Sequence, residues 1–216
     1  MNTLAIYLPT YKRPHTLAKV AQNIEDTTKN KFTLYFGIEP NDEESYQAAL
    51  ATGHKVVINK YDQDAGYSNT VQTCYESSKE PYWFHANDDF VFLKDWDAPY
   101  VEFLEGNPHI MVVGAHDGTD GVSYSTIHFV RRKYIEEQSG VMDIPNRCFY
   151  PYHHNYQDTE FTQTAQFRNV YAKVEVPCII HSHPTADGKD ETYRKNDATS
   201  PADGITFNSR KYLWGM

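Results

Sequence analysis

Two adjacent carboxylates, Asp88 and Asp89, follow Asn87 just after the apolar run Tyr82-Trp83-Phe84. Paired negative charges at the tip of a buried strand are unfavourable unless a cation neutralises them, so this spacing suits a divalent ion and an anionic ligand. Asn and Asp are also turn formers, and a polar turn before Phe90-Val91-Phe92 is the competing reading. A second acidic group, Asp158 with Glu160, stands where a helix is expected to open. A carboxylate there is kept ionised by the helix dipole and the free amides, which suits an N-cap, a general base, or both. The third group is His181-Ser182-His183-Pro184, directly after an apolar run from Val176 to Ile180. One of the two imidazoles is expected to face a given site.

These groups need elements to carry them. Leu4 to Leu8 is a short continuous apolar run of the kind found in strands covered on both faces. After Pro9-Thr10-Tyr11-Lys12-Arg13, Pro14 suits the first turn of a helix, and Leu17, Val20, Ala21 and Ile24 recur at the spacing of one buried face. Strands are expected over 32–38 and 55–58, and helices over 43–51 and 66–78. This alternation predicts an α/β fold, a mostly parallel central sheet with helices on both faces, in which ligands collect at the carboxyl ends of the strands. Thr10, Glu39 and Asp88 would then share one rim. Beyond Trp96, a helix over 99–105, a strand over 109–113, a helix opening near Asp158 and a strand over 174–180 are expected. Residues 116–156 show no clear period. The acceptor-side C-terminal region reads as irregular, because the tail from His183 is rich in Asp, Thr, Asn, Pro and Gly. Within it, the stretch from Lys189 to Lys195 is either a solvated helix face or a flap over a phosphate group.

A chain of 216 residues can bury one sizeable core, and one domain is expected, with a first half at 1–97 and a second at 98–216. The formal net charge of -9 disfavours indiscriminate polyanion binding, although the local stretch Arg131-Arg132-Lys133 could meet a phosphate backbone. Cys74, Cys148 and Cys178 lie far apart, with neither metal-ligand spacing nor a disulfide framework, as in a reducing compartment. No stretch approaches membrane-spanning length and no basic leader precedes Leu4, so a cytoplasmic protein is expected.

Three segments, Leu4 to Pro14, Asp64-Ala65-Gly66-Tyr67-Ser68-Asn69 and Tyr82 to Asp89, together resemble the nucleotide-sugar-binding half of the GT-A glycosyltransferases, especially glycosyltransferase family 2. The resemblance covers roughly the first half of the chain and implies a nucleotide sugar, most readily a UDP-sugar, as donor with Mn2+ or Mg2+ as cofactor. It directs Pro9, Thr10, Tyr11, Arg13, Glu39, Asp64 and Asp88 toward the donor, with Tyr11 stacked on the base, Arg13 on a phosphate and Glu39 facing uracil or ribose. Asp89 is implied as the direct metal ligand, and His183 as the histidine that completes the shell. Tyr156-Gln157-Asp158-Thr159-Glu160-Phe161 is similar to the family's acidic acceptor-side segment, which implies Asp158 as general base and Glu160 as its reserve. The chain departs from the family in three places: Asn-Asp-Asp stands for Asp-x-Asp, Val71-Gln72 for an Arg-Asn pair, and Gln157 for an acidic residue.

The function implied is inverting, metal-dependent transfer of a sugar to an acceptor hydroxyl. The chain's size and motif layout also resemble the small transferases with which bacterial viruses glycosylate hydroxymethylated bases in DNA, so modified DNA is one expected acceptor, and a glycan or lipid-linked sugar is another. His153-His154 and the aromatic stretch Phe149-Tyr150-Pro151-Tyr152 would line the acceptor pocket or form a packed loop. Two further classes compete: a metal-dependent phosphoesterase or nucleotidyltransferase, and a binding module that holds a nucleotide sugar without turnover.

Overall fold

The computed structural model describes residues 3–61, 66–116, 125–181 and 191–215, with backbone alone at 191–193, 195 and 196. Its centre is β1 (Leu4–Thr10), in which every residue is buried. Parallel neighbours flank it on both edges: β2 (Phe32–Ile38) in the register Leu4↔Phe32 to Thr10↔Ile38, and β4 (Tyr82–His85) in the register Leu4↔Tyr82 to Tyr7↔His85. β3 (Lys55–Ile58) adds a further parallel strand outside β2. On the other side β7 (His128–Arg131) runs antiparallel to β4, followed by β6 (Val112–His116) and β8 (Tyr171–Pro177), so the sheet order is β3-β2-β1-β4-β7-β6-β8. Pro9 has no amide proton to give, and it falls just beyond the last β1–β4 pair, where that ladder has ended.

Strand alternation sorts the core into two layers. Leu4, Ile6, Leu8 and Phe84 face α1 (Pro14–Thr27) and α4 (Ala98–Gly106), whereas Ala5, Tyr7 and Trp83 face α3 (Gly66–Ser77), α5 (Arg132–Gln138) and α6 (Gln157–Phe167). α3 lies so close to β2 that a Cβ on Gly37 would come within 2.2 Å of Thr70 Cγ2, so only glycine fits there. Between β2 and β3 runs α2 (Glu43–Ala51), capped by Asp42, whose carboxylate also accepts the Lys12 amide at 2.5 Å. Lys12 sits at φ 54, so Asp42 secures a left-handed bend that aims the loop after β1.

Several elements differ from the sequence expectations. The strand expected over 109–113 lies at Val112–His116, because Ile110 closes a turn onto the Asn107 carbonyl. The strand expected over 174–180 is two strands, β8 and β9 (Ile179–His181), divided at Cys178. Pro177 cannot donate, and the Cys178 amide turns to the His116 carbonyl while Leu93 bonds back to Cys178, which sends the chain across to pair with β5 (Phe90–Phe92). From Glu191 the tail is regular: α7 (Glu191–Arg210) is a 20-residue helix with Pro201 inside it, followed by a short 3-10 turn at Lys211–Trp214. Its composition is poor for a helix, and tertiary contacts hold it, with Phe207 and Trp214 packed beside Tyr152 and Tyr156. Arg194 in this helix is exposed, in keeping with the solvated-face reading. The two arginines of the basic stretch are engaged within the fold, and its lysine sits in an exposed ion pair. Arg131 donates to the carbonyls of Ile110 and Leu104 and to the Tyr82 hydroxyl, Arg132 to the Tyr75 carbonyl, Ser78 and Glu136, and Lys133 pairs with Glu137.

Candidate active site at the carboxyl rim of the sheet

Parallel strands in register end together, and the carboxyl tips of β1, β2, β3 and β4 bring Thr10, Glu39, Asn59 and the Asn87-Asp88-Asp89 turn to one edge. Asp88 is buried. One of its oxygens accepts the Thr10 hydroxyl at 2.7 Å and the other accepts Arg13 Nη1 at 2.7 Å. Burial pushes its carboxyl above the usual range, while the Arg13 charge and the Thr10 hydroxyl pull against that shift. Arg13, expected on a phosphate, is thus tied to the acidic turn and lies 3.9 Å from Asp89.

Asp89 is the more accessible of the pair, with its side chain 22% exposed against 6% for Asp88. Phe90 pairs with His181 across the two-stranded sheet formed by β5 and β9, and this register brings the His181 imidazole to 3.6 Å from Asp89. Among the described residues, the imidazole at this carboxylate is that of His181. His183 and Asp64, both expected in the site, lie outside the described residues. The donor set of Asp89 and His181 fits a divalent cation of the Mn2+ or Mg2+ type, since adjacent ligands about 2.1 Å from one octahedral ion stand roughly 3 Å apart. Among the described residues no third His, Cys, Asp or Glu joins them in a metal-binding cluster. Ions of this type commonly take the remaining ligands from phosphate oxygens and water.

Glu39 is buried beside this rim. It accepts both contacts of the Asn59 amide at 3.1 Å and the Thr70 hydroxyl at 2.7 Å. Its carboxylate thus links the ends of β2 and β3 to α3. Tyr11, expected to stack on a base, is half-buried in the loop after β1, with Lys12 Nζ 5.3 Å from its ring centroid.

The opposite wall comes from the start of α6. Tyr156, not Asp158, is the N-cap, at φ 71, and Asp158 lies in the first turn with one oxygen accepting the Thr159 amide at 2.7 Å. The left-handed Tyr156 is held by stacking on Phe207 at 5.0 Å between ring centroids. Asp158 is half-buried, and it acts on the same hydroxyl as Asp89: the Tyr67 phenol is pushed well up by burial, then by Asp158 and by Asp89. Glu160, the expected reserve, is almost completely buried. It accepts Tyr152 at 2.6 Å and two nitrogens of Arg210 at 2.9 and 2.8 Å, and Arg210 also pairs with Asp143. His153 and His154 belong to a tight loop gathered by Asp203 of α7, which accepts the amides of His153, His154 and Asn155. The His154 imidazole is lowered, chiefly by burial, and it senses both Asp89 and Arg13.

Solved structures share this architecture. Glucosyl-3-phosphoglycerate synthase from Mycobacterium tuberculosis, in complex with Mn2+, UDP and glucosyl-3-phosphoglycerate, matches with TM-score 0.63 at 13% identity, over 94% of this chain and 80% of that chain. The fold is GT-A-like. The same synthase with Mg2+ and UDP matches with TM-score 0.62 at 13% identity, over 94% and 79% of the two chains. A mycobacterial protein matches with TM-score 0.66 at 13% identity, over 94% and 74%. No protein-family profile and no curated protein matches the sequence. Among the described residues, no helix of this GT-A-like chain is long and apolar enough to cross a membrane.

Two residues that sequence reasoning did not single out lie beside this rim: Tyr67 and His85. Tyr67 carries no local signal, because its partner His85 is distant in sequence. His85 stands just before Ala86-Asn87-Asp88 and continues the inward parity of Trp83, which was a usable sign.

Proposed function

We propose that the protein is a metal-dependent glycosyltransferase that moves a sugar from a UDP-sugar to an acceptor hydroxyl with inversion. The observation that carries this reading is the pairing of Asp89 with His181 at 3.6 Å on the same rim as Asp88, Arg13 and Thr10, with Asp158 of the first turn of α6 acting on the same Tyr67 hydroxyl as Asp89. The complexes of the structurally similar synthase with UDP-glucose, Mn2+ and phosphoglyceric acid, or with glycerol 3-phosphate as the third component, support the donor and a small hydroxyl-bearing acceptor.

In this reading Asp89 and His181 hold a divalent cation, which when bound offsets the charge that develops on the departing diphosphate. Thr10 and Arg13 fix Asp88 so that the acidic turn keeps its shape. Asp158 accepts the proton of the acceptor hydroxyl while that oxygen forms a bond to the anomeric carbon. The bond from that carbon to the diphosphate oxygen breaks on the opposite face, and the diphosphate leaves with the electron pair. Glu160 takes no part as base, because its oxygens are engaged by Arg210 and Tyr152. The engagement of Arg131 and Arg132 inside the fold leaves the DNA acceptor resting on the resemblance in size and motif layout alone.

The test combines calorimetry and mass spectrometry. UDP should bind with Mn2+ and bind far more weakly without it. A panel of UDP-sugars should show slow hydrolysis alone and a hexose mass gain on one of 3-phosphoglycerate, glycerol 3-phosphate or duplex DNA carrying hydroxymethylcytosine. Neither metal-dependent binding nor donor hydrolysis across the panel would end this reading.

A further inference from the structure

Behind the rim a chain of hydrogen bonds runs through the buried layer between the sheet and α6. The Tyr67 hydroxyl lies 2.9 Å from His85 Nδ1, His85 Nε2 lies 3.0 Å from His128 Nδ1, and His128 Nε2 lies 2.8 Å from Thr162 Oγ1. The chain ends where Thr162 donates to the Ser125 carbonyl at 3.3 Å. His85 closes β4 and His128 opens β7, two residues along from the Trp83↔Val130 pair and on the same face, so the register itself stacks the imidazoles at 5.3 Å. Phe149 and Phe161 pack against them.

The far end fixes the direction of every proton. A carbonyl can only accept, so Thr162 gives its single hydroxyl proton to Ser125, and its oxygen takes a proton from His128 Nε2. Burial holds both imidazoles neutral, His85 lowered to about 3 and His128 well below its usual value. A neutral imidazole has one donor nitrogen and one acceptor nitrogen. His128 therefore accepts at Nδ1 from His85 Nε2, and His85 accepts at Nδ1 from the phenol. Tyr67 must turn its proton inward. Its oxygen then meets any ligand only as an acceptor.

Tyr67 follows Gly66 at the start of α3, is half-buried, and feels the charges of both Asp89 and Asp158. In glycosyl transfer, the ring being moved spans the gap between the metal-binding carboxylate and the base. An acceptor-only phenol that feels both carboxylates calls for a hydrogen-bond donor, and the hydroxyls of a sugar supply one. We propose that Tyr67 determines donor specificity by accepting a hydrogen bond from one hydroxyl of the transferred sugar, with His85, His128 and Thr162 as positioning residues that hold its proton away. This assignment rests on the glycosyl-transfer reading above.

The test compares wild type with Tyr67→Phe, using whichever of UDP-glucose and UDP-galactose binds more tightly with Mn2+, its deoxy analogue at each ring hydroxyl, and UDP as control. In wild type one deoxy analogue should bind roughly tenfold more weakly than its parent. In Tyr67→Phe that difference should vanish, while UDP binds both proteins equally. Thr162→Val should lose part of the discrimination and Thr162→Ser should retain it. Independently of any variant, nitrogen NMR of the wild-type imidazoles should show both His85 and His128 protonated at Nε2. A proton on His85 Nδ1, no deoxy penalty at any position, or a penalty that persists in Tyr67→Phe overturns the proposal. A wild type that binds neither UDP nor the UDP-sugars overturns the glycosyl-transfer reading itself and removes this assignment with it.

Discussion

Two regions of this molecule pair carboxylates with an arginine, and they do so for different ends. At the rim, Arg13 holds Asp88 at 2.7 Å while Asp89 stands 3.9 Å from the guanidinium and 3.6 Å from His181, with its side chain partly exposed. Behind α6, Arg210 is saturated: it grips Glu160 through two nitrogens and Asp143 through two more contacts, Tyr152 closes the remaining approach to Glu160, and the guanidinium lies 3.7 Å from the centroid of the Tyr150 ring. The first arrangement keeps a carboxylate partly exposed at the rim of the sheet. The second buries one in fastening α7 to α6. An acidic residue near a site is therefore not itself a sign of chemistry; its accessibility separates the two uses.

Asp89 is where the contrast between the two regions should show most. Asp89→Ala should abolish Mn2+-dependent UDP binding and lower transfer about 10⁴-fold, measured by calorimetry and turnover. Asp158→Asn should lower transfer about 10³-fold and leave UDP affinity within about twofold of wild type; equal losses in binding would place Asp158 with the donor instead. Arg210→Ala should leave Glu160 buried without its cation and destabilise the fold by about 3 kcal/mol in urea unfolding. If it instead removed UDP binding without loss of stability, the distinction between the two regions would collapse.

The smallest effect concerns Asp203, where Asp203→Asn should lose about 1 kcal/mol. Burial pushes its carboxyl up, but the amides of Asn155 and His154 and the His153 side chain outweigh burial and hold it below 3.8. A lowered carboxylate contributes stability that is complete above its unfolded value and is lost as the pH falls through its folded value. Amide exchange at His153, His154 and Asn155 should therefore quicken in wild type below about pH 4, and Asp203→Asn should show fast exchange already at neutral pH.

The rim was legible in sequence and the second region was not, for a physical reason. β1 (Leu4–Thr10) and β2 (Phe32–Ile38) fall where their apolar runs place them, because central strands write their burial into adjacent residues, and α2 (Glu43–Ala51) and the edge strand β3 (Lys55–Ile58) follow in the expected places. The acidic turn then follows at a strand tip. α7 has no such local signature. Gly204, Pro201 and several Asn, Asp and Thr residues each disfavour a helix, and only Asp203, Phe207 and Arg210, meeting partners some 50 residues earlier, outweigh that local preference. The pairing of β5 with β9 was hidden in the same way, since nothing near Phe90 or His181 reports that β5 selects β9 as its partner.

That selection bears on how the protein comes to be folded. Phe90 and His181 are joined by a ladder closed across about 90 residues, so the rim cannot be complete until late chain segments have returned to early ones. Asp88 can meet Thr10 and Arg13 once β1 and β4 are paired, but Asp89 acquires its imidazole only with the last strand. On the proposed reading, cation affinity would be coupled to closure of the two-stranded β5–β9 sheet, and a partly folded chain with an intact first half would hold the ion weakly. Added Mn2+ should accordingly slow unfolding by bracing the β5–β9 ladder, an effect that ends when either strand is unable to pair.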